Sequence, residues 1–344
     1  IIDYNFQNAG QLVNAYDDSN TMIGLSKDFK CFVVGRLDSE ISVHIIGDNY
    51  KVIFLPTTYT KEQVAEFILD KLNPDVLHMH GNHGWPQYQY YAKYFSYQSK
   101  RPVKTIFSPA GSSCGTPEFL SYFDYIIVNH RLQVERMNTP EQNKILVRHR
   151  AANKTIFYPK YADMEYDFVY VAGFVHVKQI PIMIDTVMEA APHRRLVILG
   201  DFTRIRTHYL GIKEYINKKG IEENIILHDF ISQKKMSDFL GKCGVFVWPN
   251  IKPENPSTTT NRAVTEALAC GMPLLLGSRA FNETDYIVPG NNGFLYENPE
   301  GFAAFSNEIF YNLGRYRENS IKICDESFNY DKNFIEFYTK IYGE

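Results

Sequence analysis

Short apolar runs alternate along the chain with longer stretches in which apolar positions return every third or fourth residue. The runs at 31–35, 42–46, 52–55, 76–80, 105–108 and 125–129 predict buried strands, and a second series follows at 168–173, 196–200, 225–228, 245–248 and 273–277. Between many of them, 61–72, 181–190 and 207–219 read as amphipathic helices. Strand–helix alternation with continuously apolar strands is the pattern of parallel sheets covered on both faces. Its occurrence twice predicts an α/β protein of two Rossmann-like, doubly wound domains facing across a cleft. Ligands of open α/β sheets bind beyond the carboxyl ends of the strands.

The pattern breaks at Tyr158-Pro159-Lys160, so the expected domains are 1–160 and 161–325. A closing helical segment, 326–344, carries Phe334, Phe337, Tyr338 and Ile341 on one face and is expected to pack back on the first domain. A length of 344 residues suits two cores rather than one.

Composition narrows the function. A net charge of −3 without a long basic run speaks against nucleic acid as a partner. The five cysteines are scattered and never form C-x-x-C, which disfavours both a disulfide framework and a zinc site and fits a reducing compartment. No run is long and apolar enough for a membrane helix, and the opening Ile1-Ile2-Asp3-Tyr4 lacks a signal-peptide pattern. A cytoplasmic location follows as the expectation, and lysine pairs such as Lys234-Lys235 read either as solvated helix faces or as peripheral contacts to the inner face of a membrane.

The most informative stretch is 250–277, N-I-K-P-E-N-P-S-T-T-T-N-R-A-V-T-E-A-L-A-C-G-M-P-L-L-L-G. It reads as a strand end, a polar loop, a helix over 261–269 and a further strand. A helix whose N-terminal amides face a loop is suited to binding a diphosphate. Glu266, inside that helix beside Ala267 and Leu268, is placed to accept hydrogen bonds from a ribose diol.

With these residues in hand, T-E-A-L-A-C-G-M-P resembles the E-A-x-A-C-G-x-P segment of retaining family-four glycosyltransferases of the GT-B fold (glycosyl transferases group 1 type). Four further segments resemble that family in order and approximate spacing. They are 171–178 (V-A-G-F-V-H-V-K, the donor-phosphate loop), 196–201 (L-V-I-L-G-D), 226–231 (I-L-H-D-F-I, the turn over the base) and 74–81 (P-D-V-L-H-M-H-G). The resemblance implies a hexosyltransferase acting from a nucleoside diphosphate sugar of UDP or GDP type, without metal or other cofactor. Its acceptor would be a hydroxyl on a glycan, a lipid-linked sugar or a small molecule. Lys178, Glu266 and Arg262 would carry the chemistry. Gly173, His176, Lys178, Phe230, Ile231, Thr258, Thr259, Thr260, Asn261 and Glu266 would hold the donor, and Gly10, His80, His83 and Ser108 would face the acceptor.

Three positions depart from that family's pattern. Phe174 stands where a phosphate-binding arginine is usual, leaving Arg262 and Arg204 as candidate replacements. Thr258 falls where a first glutamate is usual, and Ser108-Pro109-Ala110-Gly111 replaces a segment that often carries histidine. A nucleotide-sugar-binding protein without catalysis therefore stays open as an alternative, as does a glucosyltransferase acting on modified DNA bases. The aromatic stripe Tyr88, Tyr91, Tyr94 and Phe95 reads either as core or as a stacking surface for an acceptor sugar.

Overall fold

The computed structural model describes residues 24–36, 40–81, 86–98, 103–109, 115–129, 134, 137, 140, 142–175, 178–203, 205–250, 262–279 and 284–343. The chain divides into two compact units. One comprises Ile1–His149 with Asp331–Glu344, and the other Arg150–Tyr330. The division falls earlier than the proline-based boundary near 160 because the residues after 150 bond to the second unit. Ser237 donates from its hydroxyl to the Ile156 carbonyl at 3.0 Å and accepts from the Tyr158 N–H at 3.1 Å, while Lys154 pairs with Asp325.

In the first unit, β1 (Cys31–Arg36), β2 (Ser42–Gly47) and β3 (Tyr50–Leu55) form a small sheet with β3 in the middle. β3 runs parallel to β1 but antiparallel to β2. This corrects the expectation of an all-parallel, fully buried series, since Val43 and Ile45 of β2 are 53% and 71% exposed. A second sheet is parallel throughout, in the order β4 (Val76–Gly81), β5 (Lys104–Pro109), β6 (Tyr125–Val128) and β7 (Ile145–Val147).

Helix α1 (Lys61–Glu66) opens on a capping box between Thr60 and Gln63 and continues in wider π turns over Phe67–Leu72. Helices α2 (Pro86–Gln98) and α3 (Pro117–Ser121) and a 3-10 turn at Gln142–Lys144 also lie between these strands. The aromatic stripe of α2 belongs to the core. Tyr88, Tyr91 and Phe95 are buried with Leu77, Met79 and Phe107, and only Tyr94 of the four is half-buried.

The C-terminal segment returns to this unit as Asp331–Glu336 and the helix Phe337–Gly343. Polar contacts hold it. The Lys104 ammonium donates to the Ile341 carbonyl at 2.8 Å. Arg148 donates to the Tyr338 hydroxyl and to Asn129 Oδ1, both at 2.9 Å, with its guanidinium 3.9 Å from the Phe334 ring centre. His78 bridges the Tyr342 hydroxyl at 2.8 Å and the Ser108 hydroxyl at 2.7 Å.

The second unit is built on one six-stranded sheet. Its strands are β8 (Tyr166–Val171), β9 (Leu196–Leu199), β10 (Ile225–His228), β11 (Cys243–Trp248), β12 (Leu274–Gly277) and β13 (Gly293–Tyr296). The order is β10-β9-β8-β11-β12-β13, and every pairing is parallel. Helices α4 (Ile180–Ala190), α5 (Arg206–Lys219), α6 (Gln233–Leu240) and α7 (Arg262–Ala269) fill the crossovers, followed by α8 (Pro299–Tyr311) and α9 (Leu313–Ser327). All six residues of β11 are buried, as a central strand covered on both faces requires. Sequence pattern alone missed β7 and β13, which are short and lie at sheet edges.

Burial holds the His78 imidazole well below its usual range, with Arg148 and His80 pushing the same way. The unfolded chain therefore binds this proton more tightly than the folded one. Stability is complete above the ordinary histidine value of about 6.5 and falls as pH drops below it, by up to ~1.4 kcal/mol per pH unit. Chemical unfolding followed between about pH 7.5 and 5.5 should show this slope in the wild type and a flatter one in His78→Gln.

Candidate functional site at the carboxyl edge of the second sheet

Strand order reverses between β8 and β11. From β8 the chain winds outward through β9 to β10, then crosses to the other side for β11, β12 and β13. This is the topological switch point, where the loops leaving two adjacent strands diverge and open a crevice at their carboxyl ends. The loop after β8 carries Gly173 and Lys178. The segment after β11 leads into α7, which carries Arg262 and Glu266.

The described residues of the β8 loop bond to one another. The Val175 N–H donates to the Gly173 carbonyl at 2.8 Å, and the Lys178 N–H donates to the Val175 carbonyl at 3.0 Å. Among the described residues, nothing lies within 4 Å of where a Cβ on Gly173 would stand, so this backbone can be approached closely. The half-buried Lys178 holds its ammonium 4.9 Å from the Trp248 ring centre, at the end of β11. The Tyr170 hydroxyl donates to the Lys178 carbonyl at 2.6 Å.

α7 is buried along its whole length after Arg262, and Glu266 is 7% exposed. A carboxylate in such a position is not a solvated helix-surface group. Its charge acts on the following Cys270. Burial, chiefly, and this carboxylate push the Cys270 thiol up to about 12, while a contact with Ser237 acts in the opposite direction. That thiol is inert at neutral pH.

Phe230, following β10, exposes 56% of its surface, and Ile231 is half-buried beside it. The Phe230 N–H already donates to Asp229 Oδ1 at 2.7 Å. His228, Phe230, Ile231, Ser232 and Phe239 line an open groove of about 610 Å³ along α6.

Other candidates fall elsewhere. Ser108 is buried, and its hydroxyl bonds to His78. His80 is half-buried on β4, its carbonyl accepting from the Tyr88 hydroxyl at 3.1 Å. Phe174, at the position usual for an arginine, is 1% exposed, with Phe202 and Tyr209 ring centres at 5.3 and 5.5 Å. Gly200 makes room for it, since a Cβ there would lie 2.9 Å from the Phe174 ring. Gly10, His83, His176, Arg204, Thr258, Thr259, Thr260 and Asn261 lie outside the described residues. Among the described residues no three His, Cys, Asp or Glu side chains gather as metal ligands, and no helix is long and apolar enough to cross a membrane.

Two features had escaped the sequence reading, Trp248 and Asn250. The Asn250 amide donates to the Glu297 carbonyl at 2.7 Å and accepts from the Arg279 N–H at 3.0 Å, so it ties together the segments leaving β11, β12 and β13.

Residues 154–318 match the family model for glycosyl transferases group 1. No curated protein matches the chain by sequence. Solved structures match over nearly the whole chain. Sucrose-phosphate synthase from Thermosynechococcus elongatus is similar with a TM-score of 0.73 and 13% identity, covering 96% of this chain and 94% of its own. A glycosyltransferase from Rickettsia africae gives 0.71 and 13%, with 96% and 95% covered. The Anabaena protein Alr3699/HepE, solved in complex with UDP-glucose, gives 0.71 and 12%, with 100% and 98% covered. At these identities the likeness establishes the fold, which is GT-B. The family match supplies the class: the protein is a glycosyltransferase, and the matched residues span the second unit's sheet.

A Cβ on Gly277 would lie 2.5 Å from the Asn250 nitrogen and closer still to its Cα. Gly277→Ala must therefore displace Asn250. An overpacking cost of about 2–3 kcal/mol is expected in denaturant unfolding, with weakened nucleotide binding. An unchanged midpoint would contradict the close approach.

Proposed function

We propose that the protein moves a hexose from a nucleoside diphosphate sugar, of UDP or GDP type, to a hydroxyl acceptor with retention of anomeric configuration. The observation that carries this reading is the position of Lys178 and α7 on the two sides of the switch point, after the adjacent strands β8 and β11. The relative solved with UDP-glucose supports the same donor class.

In this reading Lys178 supplies the positive charge opposite the diphosphate, and the amides opening α7 supply donors. Arg262, at the first position of α7, adds a second cation where Phe174 supplies none. Glu266 accepts hydrogen bonds from the ribose hydroxyls, and the turn at Phe230–Ile231 lies against the base. The bond from the anomeric carbon to the diphosphate oxygen breaks with its electron pair going to that oxygen. The acceptor hydroxyl forms the new bond from the same face, and its proton passes to the departing phosphate oxygen. No metal ion and no protein nucleophile enter; positioning and charge stabilisation carry the step. The acceptor is a glycan, a lipid-linked sugar or a small molecule, and the protein acts in the cytoplasm.

Burial of Phe174 motivates one rival, a protein that binds the nucleotide sugar without turning it over. Released nucleoside diphosphate measured over a panel of UDP-, GDP- and ADP-sugars separates the two. Turnover of one donor is expected, reduced about 10²–10³-fold in Lys178→Ala. Glu266→Ala should raise KM for the donor more than it lowers kcat. Binding of a donor with no release, even with acceptors present, would favour the rival.

A further inference from the structure

Lys178 is held at both ends by aromatic side chains that belong to the sheet beneath it. Its carbonyl accepts from the Tyr170 hydroxyl at 2.6 Å, and its ammonium lies 4.9 Å from the Trp248 ring centre. The two rings also hold each other, edge to face, with centres 5.1 Å apart. Trp248 is fixed in turn, because the Tyr296 hydroxyl donates to its carbonyl at 3.0 Å. Tyr170, Trp248 and Tyr296 come from β8, β11 and β13 of one sheet and are 0%, 4% and 1% exposed.

A lysine ammonium on a four-carbon stem is ordinarily a poorly fixed charge, and immobilising it costs about 2 kcal/mol of rotamer entropy at most. An aromatic face attracts the ammonium and narrows its range before any ligand arrives. Catalysis by charge stabilisation depends on such preorganisation, since a charge already in place needs no reordering as the leaving group departs. Arginine, the usual second cation of the β8 loop, is replaced by Phe174, so more of the burden falls on the placement of Lys178.

We propose that Trp248 and Tyr170 are positioning residues that clamp Lys178 in its diphosphate-binding pose, the indole face holding the ammonium and the phenol hydroxyl holding the backbone. The proposal rests on the reading of Lys178 as the donor-phosphate cation.

The test is calorimetric titration of UDP and GDP into wild type, Trp248→Leu, Trp248→Phe, Tyr170→Phe, Lys178→Ala and the Trp248→Leu/Lys178→Ala double variant, with melting temperature confirming each fold. Trp248→Leu is expected to weaken binding roughly fivefold, and Trp248→Phe, which keeps an aromatic face, to recover most of it. In the Lys178→Ala background Trp248→Leu should have no further effect, because the ammonium it positions is gone. Tyr170→Phe, which keeps the ring and loses only the hydroxyl, should weaken binding about two- to fivefold and remains informative if the Trp248 variants fail to fold. kcat for donor turnover should fall further than affinity does, as expected for a group placed for the transition state.

Independent, multiplying losses from Trp248→Leu and Lys178→Ala would overturn the clamp while leaving Lys178 a donor ligand. So would full affinity in both Trp248→Leu and Tyr170→Phe. Unchanged affinity in Lys178→Ala would overturn the donor-site reading and the clamp with it.

Discussion

The second unit depends on burying both faces of a parallel sheet. Its central strands β8, β11 and β12 are apolar almost throughout, and helices connect and cover them. Such a sheet offers its polar backbone and any functional side chain a way out at its ends only. Because all six strands point the same way, every β–α loop of the doubly wound sheet emerges at the same edge. The reversal of strand order at β8 and β11 then parts two neighbouring loops and leaves a crevice with Lys178 on one side and α7 on the other. The chemistry attributed to the protein is a consequence of that geometry. A diphosphate needs fixed positive charge and free-standing amide donors, and this is the edge that can supply both.

Aromatic residues shape the site from below. Trp248 and Tyr170 rise from adjacent strands under Lys178, and Tyr296 secures Trp248 from a third strand. Phe174, Phe202 and Tyr209 form a separate cluster where an arginine would otherwise reach the loop. Their rings pack that part of the β8 loop as an apolar wall, and in the proposed reading the positive charge there rests on Lys178. The same economy is visible at Asn250, whose single side chain ties three strand ends together just before residue 251.

Much of this was legible in the sequence because its determinants are local. The strands at 225–228 and 273–277 were bounded almost to the residue, since apolar runs flanked by polar turns specify strands directly. E-A-L-A-C-G-M-P located α7 and Glu266 because a buried carboxylate amid small apolar residues is a conspicuous pattern. What escaped depends on tertiary neighbours. Trp248 stands seventy positions from Lys178, and no periodicity reveals that one ring will lie beneath the other's ammonium. Ser108 lies near the carboxyl end of β5, and its hydroxyl meets His78 of β4, a partner thirty positions away that no local pattern reveals. β2 carries strand-forming residues that gave no sign of its antiparallel direction or of its exposed face, because the uncovered edge of a small sheet is decided by which helices exist to cover it.

Hydrogen exchange of backbone amides with and without UDP, read by mass spectrometry across the whole chain, tests the central claim most directly. The account predicts slowed exchange in the segments around 172–178 and 262–269, which flank the switch point, and at the turn 228–231. Protection confined to the first unit, or none anywhere at saturating UDP and GDP, would contradict a donor site at the carboxyl edge of the second sheet.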